Sequence, residues 1–184
     1  MSEERIHHVN GRALKEVQIH SIDLKGVVIE QERLHARIKK IHNLKGSRLE
    51  NMKTAFRVEL GELANELRFF KDWSNKGPSD RKTILMEYID GFTFLIEIAI
   101  EKDYQDEMKR VPIAYGEYKN IKNEDLNAIF EALFINKFDK YFDFIRALQL
   151  YLGLGHILGF DKNEILLGYH EKNAINHERQ DSGY

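Results

Sequence analysis

LENMKTAFRVELGELANELRFF, residues 49–70, carries nonpolar side chains at every third or fourth position. This spacing places them on one face of an α-helix, because a helix turns once in about 3.6 residues. The members of this nonpolar stripe are Met52, Phe56, Leu60, Leu63, Leu67 and Phe70. The stretch therefore predicts a long amphipathic helix with one face in a protein core.

Four further segments with helical periodicity lie around this helix. The first helix is predicted over about residues 28–41, the third over 80–102 with Ser79 as its cap, the fourth from about 123 to 153 or 155, and the last from Asp161 to about Arg179. Asp161 and Glu164 have the spacing of a capping box. Both prolines fall between these segments. The sequence thus predicts an all-α helical bundle with one long middle connection.

Residues 1–25 are the least regular part of the chain, and we treat residues 1–30 as an N-terminal arm before a helical domain spanning 31–184. Val17, Ile19 and Ile22 fit either a short strand or an ordered arm, and the pattern is too brief to decide. A length of 184 residues suits one compact domain.

The composition excludes several classes of function. A formal net charge of -2 provides no basic field for nucleic acid. The lack of cysteine excludes disulfides, thiolate zinc sites and cysteine nucleophiles, and it favours a reducing compartment. The sequence has neither a signal-peptide core nor an apolar run of membrane-spanning length. We therefore expect a cytoplasmic protein that binds neither nucleic acid nor membrane.

Two acidic pairs have the spacing of neighbours on a helix face: Glu59 with Glu62, and Glu87 with Asp90. Two such pairs on helices joined by a short loop form the all-oxygen site that a hard divalent cation such as Mg2+ prefers. The cation would relieve the repulsion between the carboxylates and supply the positive charge that a nucleotide phosphate requires. The alternative is a solvated acidic surface, and spacing alone does not decide between the two.

The last predicted helix has a polar, cationic face. Its members are Tyr169, Lys172, Asn176 and Arg179. Lysine, arginine and asparagine side chains are suited to binding phosphate oxygens, although a solvated terminal helix would show the same spacing. Lys71 and Trp73 follow the acidic helix and fit either stacking on a base or packing at a helix end.

Three segments carry a resemblance to a known family. They are VELGELANELRFFKDWS (58–74), ILMEYIDGFTF (84–94) and YHEKNAINHERQDSGY (169–184). Together they resemble the dimeric all-α dUTP diphosphatases of bacteria and their phages and, more distantly, the MazG-like nucleotide pyrophosphohydrolases. The resemblance covers about residues 31–184. The two acidic pairs are common to the whole superfamily, whereas the KNxxNxxRQxxGY ending is particular to the dUTP branch.

The resemblance implies a role for each site residue. The carboxylates that would hold two or more Mg2+ ions, with Mn2+ as a substitute, are Glu59, Glu62, Glu87 and Asp90. Glu62 would also orient the attacking water. The residues implied to contact substrate are Gln31 at the uracil edge, Lys71 and Trp73 beside it, and Lys172, Asn176 and Arg179 at the phosphates. The implied reaction converts dUTP, and also dUDP, to dUMP in a homodimer with shared active sites.

Two positions depart from the family pattern. Relatives often carry histidine where Thr93 stands, and commonly an acidic residue where His35 stands. Neither change touches the four carboxylates, so dUTP hydrolysis stays the prediction, but both bear on base selectivity. The alternatives are a pyrophosphohydrolase with another base preference, such as dCTP, and a non-catalytic nucleotide-binding or regulatory homologue.

Overall fold

A computed structural model describes residues 5–9, 12–118 and 122–183, with side chains described from residue 18 onward. The described residues form three strands and seven helices: β1 Arg5–Val9, β2 Arg12–Ile22, α1 Lys25–Ile41, α2 Leu49–Leu67, α3 Arg81–Glu101, α4 Gln105–Arg110, β3 Ile113–Tyr118, α5 Asn123–Phe134, α6 Tyr141–Ile157 and α7 Lys162–Asp181. Most of the chain is helical, as predicted. None of the described helices has the length and apolar character that crossing a membrane requires.

The central layer consists of α2 packed along α3. The two helices run in opposite directions: the Ser79 backbone N–H, just before α3, donates to the Glu66 carbonyl near the end of α2, and the Arg48 N–H, just before α2, donates to Glu101 at the end of α3. The predicted stripe of α2 is buried from Met52 to Leu63. Its last member, Phe70, is exposed, because α2 already ends at Leu67.

The predicted fourth helix is wrong as a single element, since the structure divides it into α5 and α6. The interruption lies around Phe138, which is buried and has a φ of 56°. The side-chain oxygen of Asn136 accepts the Phe138 backbone N–H at 2.7 Å and closes a turn there. A continuous helix would not bury Phe138 in this way, and the nonpolar periodicity on both sides concealed the break.

The two predicted helix caps have different outcomes. Asp80, not Ser79, caps α3, and its carboxylate accepts the backbone N–H groups of Lys82 and Thr83. Ser79 instead donates its hydroxyl to the Glu66 carboxylate. The capping box of Asp161 and Glu164 at the start of α7 is confirmed. A carboxylate one residue closer to the helix satisfies two backbone donors, which explains the preference for Asp80.

A small three-stranded antiparallel sheet, in the order β1, β2, β3, accompanies the predominantly helical fold, which agrees with the predicted all-α class. Residues 17–22 therefore belong to a strand, with an irregular register between Glu16 and Gln18. β3 packs against α6, where a Cβ on Gly153 would lie only 2.6 Å from the Tyr118 ring. The sequence around β3 has the character of a loop, because Pro112 directly precedes the strand and Gly116 interrupts its short alternation.

A reciprocal tyrosine pair joins α3 to α6. The rings of Tyr88 and Tyr151 stack with their centroids 4.7 Å apart. Tyr88 donates its hydroxyl to the Tyr151 carbonyl at 3.1 Å, and Tyr151 donates to the Tyr88 carbonyl at 2.8 Å. Each hydroxyl lies close to a glycine of the other helix, Gly155 and Gly91 respectively, where a Cβ would collide with it. This pair anchors α3 between Glu87 and Asp90.

Candidate metal and nucleotide site

Three of the predicted carboxylates come together between α2 and α3. One oxygen from each of Glu59, Glu87 and Asp90 lies within 4.8 Å of the other two, and all three residues are partly buried. Hard divalent cations bind oxygen ligands at about 2.0–2.6 Å, so oxygens on opposite sides of one ion are roughly 4–5 Å apart. The three residues, hereafter the carboxylate cluster, therefore suit a single cation in their present positions.

The fourth predicted carboxylate, Glu62, lies at the rim of this cluster. It is exposed, one helical turn from Glu59, and it stands outside the 4.8 Å group. Its charge is nevertheless close enough to raise the pKa of both Glu59 and Glu87. The structure thus places three carboxylates as a cluster and leaves the fourth facing solvent beside it.

Burial and mutual repulsion raise the pKa of two residues in the carboxylate cluster, Glu59 and Glu87. Burial is the largest cause that raises the pKa of Glu59 to about 7, followed by the charges of Asp90, Glu62 and Glu87. Burial and the charge of Asp90 also raise the pKa of Glu87 above its ordinary value. Lys172 opposes both shifts. Binding of a cation would reverse this penalty, because the positive charge stabilises the ionised carboxylates.

These shifts predict how stability depends on pH. Glu59 binds its proton more tightly in the folded chain, so deprotonation between about pH 4.5 and 7 costs stability as pH rises. Without divalent cations, we expect the melting temperature to decline through this interval, with a shallower decline in Glu59→Gln. Mg2+ should raise the melting temperature more at pH 8 than at pH 5. Calorimetric scans across pH measure both effects, and parallel profiles for the two proteins would contradict the assignment.

The cationic face of α7 reaches the cluster through Lys172. Its Nζ donates to Asp90 Oδ2 at 2.7 Å, with both side chains less than one fifth exposed. Asn176 and Arg179 follow at four and seven residues, about 6 and 10 Å further along the helix. Arg179 Nη1 donates to Asn176 Oδ1 at 3.4 Å. Lys172 is thus placed directly on a carboxylate of the cluster.

Lys71 and Trp73 lie in the segment after α2. Lys71 donates to the side chain of Asn65, and its Nζ lies 5.4 Å from the centre of the Phe70 ring. Trp73 is 75% exposed, which excludes the alternative that it packs into the core. The structure therefore leaves the indole available to a ligand without bringing either residue into the carboxylate cluster.

Gln31 belongs to a buried polar network between α1, α3 and α7. It is 2% exposed, and its Nε2 donates to Glu97 Oε1 at 2.6 Å. The Tyr169 hydroxyl lies within hydrogen-bonding distance of Gln31 Oε1 and the Val27 carbonyl, at 2.8 and 3.0 Å, and accepts from Asn173. An ionised carboxylate can only accept, so Glu97 fixes which end of the Gln31 amide carries the N–H groups.

The two residues that depart from the family pattern are also buried. His35 Nδ1 lies 2.7 Å from Glu97 Oε2, and its Nε2 is 3.6 Å from Glu101 Oε1. Thr93 donates its hydroxyl to the Ile89 carbonyl at 2.9 Å, within its own helix. Glu97 therefore contacts His35 and Gln31 at once. It connects His35, one of the two departures from the family pattern, to Gln31, the candidate uracil-binding residue.

The comparison with known protein families covers the part of the chain that contains these candidate site residues. The sequence profile of the dUTPase family matches residues 23–184. The chain belongs to the dUTPase family. A search of curated proteins gives no match. Family membership makes the chain an enzyme of the dUTP diphosphatase type. The match begins just before α1, so that β1 and all of β2 precede it.

In this dUTPase, the carboxylate cluster and the buried network occupy one face of α3. Glu87, Asp90, Thr93 and Glu97 follow one another at spacings of three or four residues. Asp90 and Glu97 are seven residues apart, or about 10 Å along the helix. The carboxylate cluster, as the candidate metal and phosphate end, and the buried network, as the candidate base end, are thus separated by two turns of one helix.

Sequence reasoning missed two members of this dUTPase site region, Glu97 and Asn173, which are 4% and 7% exposed. Glu97 could have been recognised from the sequence as an unusual residue, since it is the one charged residue within 91–100. A lone carboxylate in so apolar a run must find buried partners. Asn173 gave no such signal from the surrounding residues, although it is the first asparagine of the KNxxNxxRQxxGY motif. The last residue of the family motif, Tyr184, lies outside the described residues.

Proposed function

We propose that this protein hydrolyses dUTP to dUMP and pyrophosphate in a Mg2+-dependent reaction, and accepts dUDP as well. The observation that carries the proposal is the convergence of Glu59, Glu87 and Asp90 within 4.8 Å, with the Lys172 ammonium group on Asp90. Carboxylates coordinate a divalent metal ion, and a neighbouring lysine can bind the phosphates whose charge the ion would neutralise. The dUTPase family match and the oxygen-only ligand set support this chemistry.

Each residue has a distinct role in the proposal. Glu59, Glu87 and Asp90 would hold Mg2+, with Glu62 as a further ligand. The ions would lower the pKa of water and offset charge on the phosphates. Glu62 would orient the attacking water and accept its proton, a role that its exposed position beside Glu59 permits. Lys172, Asn176 and Arg179 would bind the phosphate chain, and Lys71 and Trp73 would flank the nucleotide.

The orientation of Gln31 favours uracil over cytosine in this proposal. Glu97 accepts a hydrogen bond from one of the two N–H groups of the Gln31 amide, and the Tyr169 hydroxyl lies against the Gln31 oxygen. The amide therefore retains one donor and one acceptor position. The uracil edge offers a matching N–H donor and carbonyl acceptor. Cytosine offers the opposite pattern at the corresponding atoms, and Gln31 could match it only by turning its N–H groups away from Glu97.

We also propose that the protein is a homodimer, acting in the cytoplasm. Exposed nonpolar side chains on α2, α5 and α6 support an interface; they are Val58, Phe134, Ile135 and Phe142. Arg57 donates to the carbonyls of Phe134 and Asn136, which holds the end of α5 beside α2 near Glu59. A partner covering this patch would approach the carboxylate cluster. Sedimentation velocity at micromolar concentration tests the proposal, with Ile135→Asp as the variant expected to shift dimer to monomer.

Product analysis tests the reaction itself. The protein is incubated with dUTP and Mg2+, and the products are separated by ion-exchange chromatography. The expected products are dUMP and pyrophosphate, with activity lost on chelation of the metal. A parallel panel of deoxynucleotides tests the base preference. Release of phosphate with dUDP as the final product, or faster cleavage of dCTP than of dUTP, would contradict the proposal.

Arg179→Ala is expected to raise KM for dUTP about tenfold and to change kcat little. A hydrogen bond to a charged group contributes about 1.5–3 kcal/mol, and a contact to the phosphate chain shared by ground and transition states appears in KM. Steady-state kinetics measure the split. Arg33→Ala, an exposed arginine on α1, is the matched control and should leave both constants unchanged. An unaltered KM in Arg179→Ala would show that Arg179 does not bind the phosphate chain.

A further inference from the structure

A second cluster of metal-ligating side chains lies away from the carboxylate cluster, where the sheet meets α6. It consists of His20 on β2, Glu117 on β3 and His156 near the end of α6. One ligand atom from each residue lies within 4.8 Å of the other two. His20 precedes the residues that match the dUTPase family, so the cluster depends on a strand outside the family match.

The separations within this cluster leave room for a bound ion, because they comprise one long hydrogen bond and one gap too wide for a hydrogen bond. Nε2 of His20 lies 3.3 Å from one oxygen of Glu117, and Nε2 of His156 lies 3.6 Å from the other. A tetrahedral centre with bonds of about 2.1 Å separates its ligand atoms by about 3.4 Å. Each observed distance is close to that edge length, and a tetrahedral ion would use one of the two Glu117 oxygens on which these distances end.

Other histidines of the same chain provide the contrast. His35 and His170 approach their carboxylate partners to 2.7 and 2.8 Å, the ordinary length of a charge-assisted hydrogen bond. The separation of 3.6 Å at His156 is too long for such a bond. His20 thus makes only a long hydrogen bond to Glu117, and His156 lies beyond hydrogen-bonding distance of it. The rings of the two histidines lie 4.6 Å apart, centre to centre.

The backbone holds these three ligands in place. His20 pairs with Tyr115 across the two strands and stacks on its ring at 5.7 Å. Glu117 lies two residues beyond Tyr115, so it faces the same side of the sheet. One turn before His156, Gly153 lets α6 approach the backbone of β3. The side chains of the cluster are between 18% and 29% exposed, so an ion can enter from solvent.

We propose that His20, Glu117 and His156 form a Zn2+ site that clamps the N-terminal sheet to α6. Two imidazoles and one carboxylate are a ligand set that Zn2+ accepts, and a water molecule would complete the tetrahedron. The site contains no residue of the carboxylate cluster, and it is independent of the proposed hydrolysis. Its effect is structural: occupancy links β2 and β3 to the helical domain.

Zinc binding to the full chain tests this site by titration calorimetry in the presence of excess Mg2+, which occupies the carboxylate cluster. We expect about one Zn2+ per chain, bound at least tenfold more weakly by His20→Gln and by His156→Gln. The matched controls are His42→Gln and the double variant His7→Gln with His8→Gln, which should bind as the unaltered chain does. Equal zinc affinity in His156→Gln and the unaltered chain would overturn the proposal.

Two further measurements keep the result interpretable. Circular dichroism shows whether each variant is folded, and His156→Gln alters a partly exposed side chain near a helix end, where a loss of folding is not expected. Substitution of Co2+ should give the intense visible absorption of a tetrahedral centre in the unaltered chain and not in His156→Gln. Zinc should also raise the melting temperature of the unaltered chain alone. A weak octahedral Co2+ spectrum in the unaltered chain would contradict the proposed site. An equal rise of the melting temperature with zinc in the unaltered chain and in His156→Gln would contradict it as well.

Discussion

Asp90→Asn is expected to lower the rate of dUTP hydrolysis by roughly 1,000-fold, a loss of about 4 kcal/mol of transition-state stabilisation. Asp90 makes two contacts that the proposed reaction needs: its carboxylate belongs to the carboxylate cluster, the candidate metal site, and it accepts from the Lys172 ammonium group at 2.7 Å. Asparagine keeps the shape of the side chain but loses the charge that both contacts require. The single substitution should therefore weaken metal binding and displace a phosphate ligand together.

Measurement of kcat over a range of Mg2+ concentrations tests this expectation. Glu171→Gln, a neutralised exposed carboxylate beside Lys172, is the matched control and should keep nearly full activity. High Mg2+ should recover only part of the loss in Asp90→Asn. Full activity of the variant at ordinary Mg2+ concentration would show that the carboxylate cluster is not the site of reaction.

Glu97→Gln is expected to reduce the preference for dUTP over dCTP, measured as the ratio of kcat/KM values, by at least about tenfold. In the native chain the carboxylate accepts from Gln31 and thereby fixes the direction of the Gln31 amide. Glutamine at position 97 can either donate or accept, so the Gln31 amide could turn over and match cytosine. The change preserves side-chain volume, which separates selectivity from packing.

Competition between dUTP and dCTP in one reaction measures this ratio directly. Glu101→Gln is the matched control, because Glu101 lies one turn further along α3 near His35 but makes no contact with Gln31. It should leave the ratio unchanged. A melting temperature for each variant distinguishes altered recognition from altered folding. An unchanged ratio in Glu97→Gln would show that Gln31 orientation does not select the base.

Local patterns in the sequence were sufficient for much of the fold. The nonpolar stripe of α2 and the capping box of Asp161 and Glu164 depend on residues three or four apart, and both are confirmed. The same local spacing predicted that Glu87 and Asp90 share a face. Their approach to Glu59 follows from two neighbouring helices joined by a short loop, and the structure contains this arrangement. The catalytic and binding roles stay predictions.

Features that depend on distant parts of the chain were not predictable in this way. β3 is recognised through its pairing with β2, which lies about 90 residues earlier, and its own short alternation is interrupted by Gly116. Similarly, His35 looks like a departure from the family pattern until Glu97 is placed 2.7 Å from it. A buried polar side chain needs a hydrogen-bonding partner, and which side chains are buried together is known only from the folded chain.

The reciprocal tyrosine pair carries a consequence for the evolution of this enzyme. Each hydroxyl occupies the space beside a glycine on the opposite helix, so Tyr151 is linked to Gly91 and Tyr88 to Gly155. A larger residue at either glycine is compatible with the fold only if the facing tyrosine is lost as well. Among homologous sequences, we therefore expect these two pairs of positions to covary, and the covariation should pass through intermediates with a smaller aromatic or aliphatic side chain in place of tyrosine.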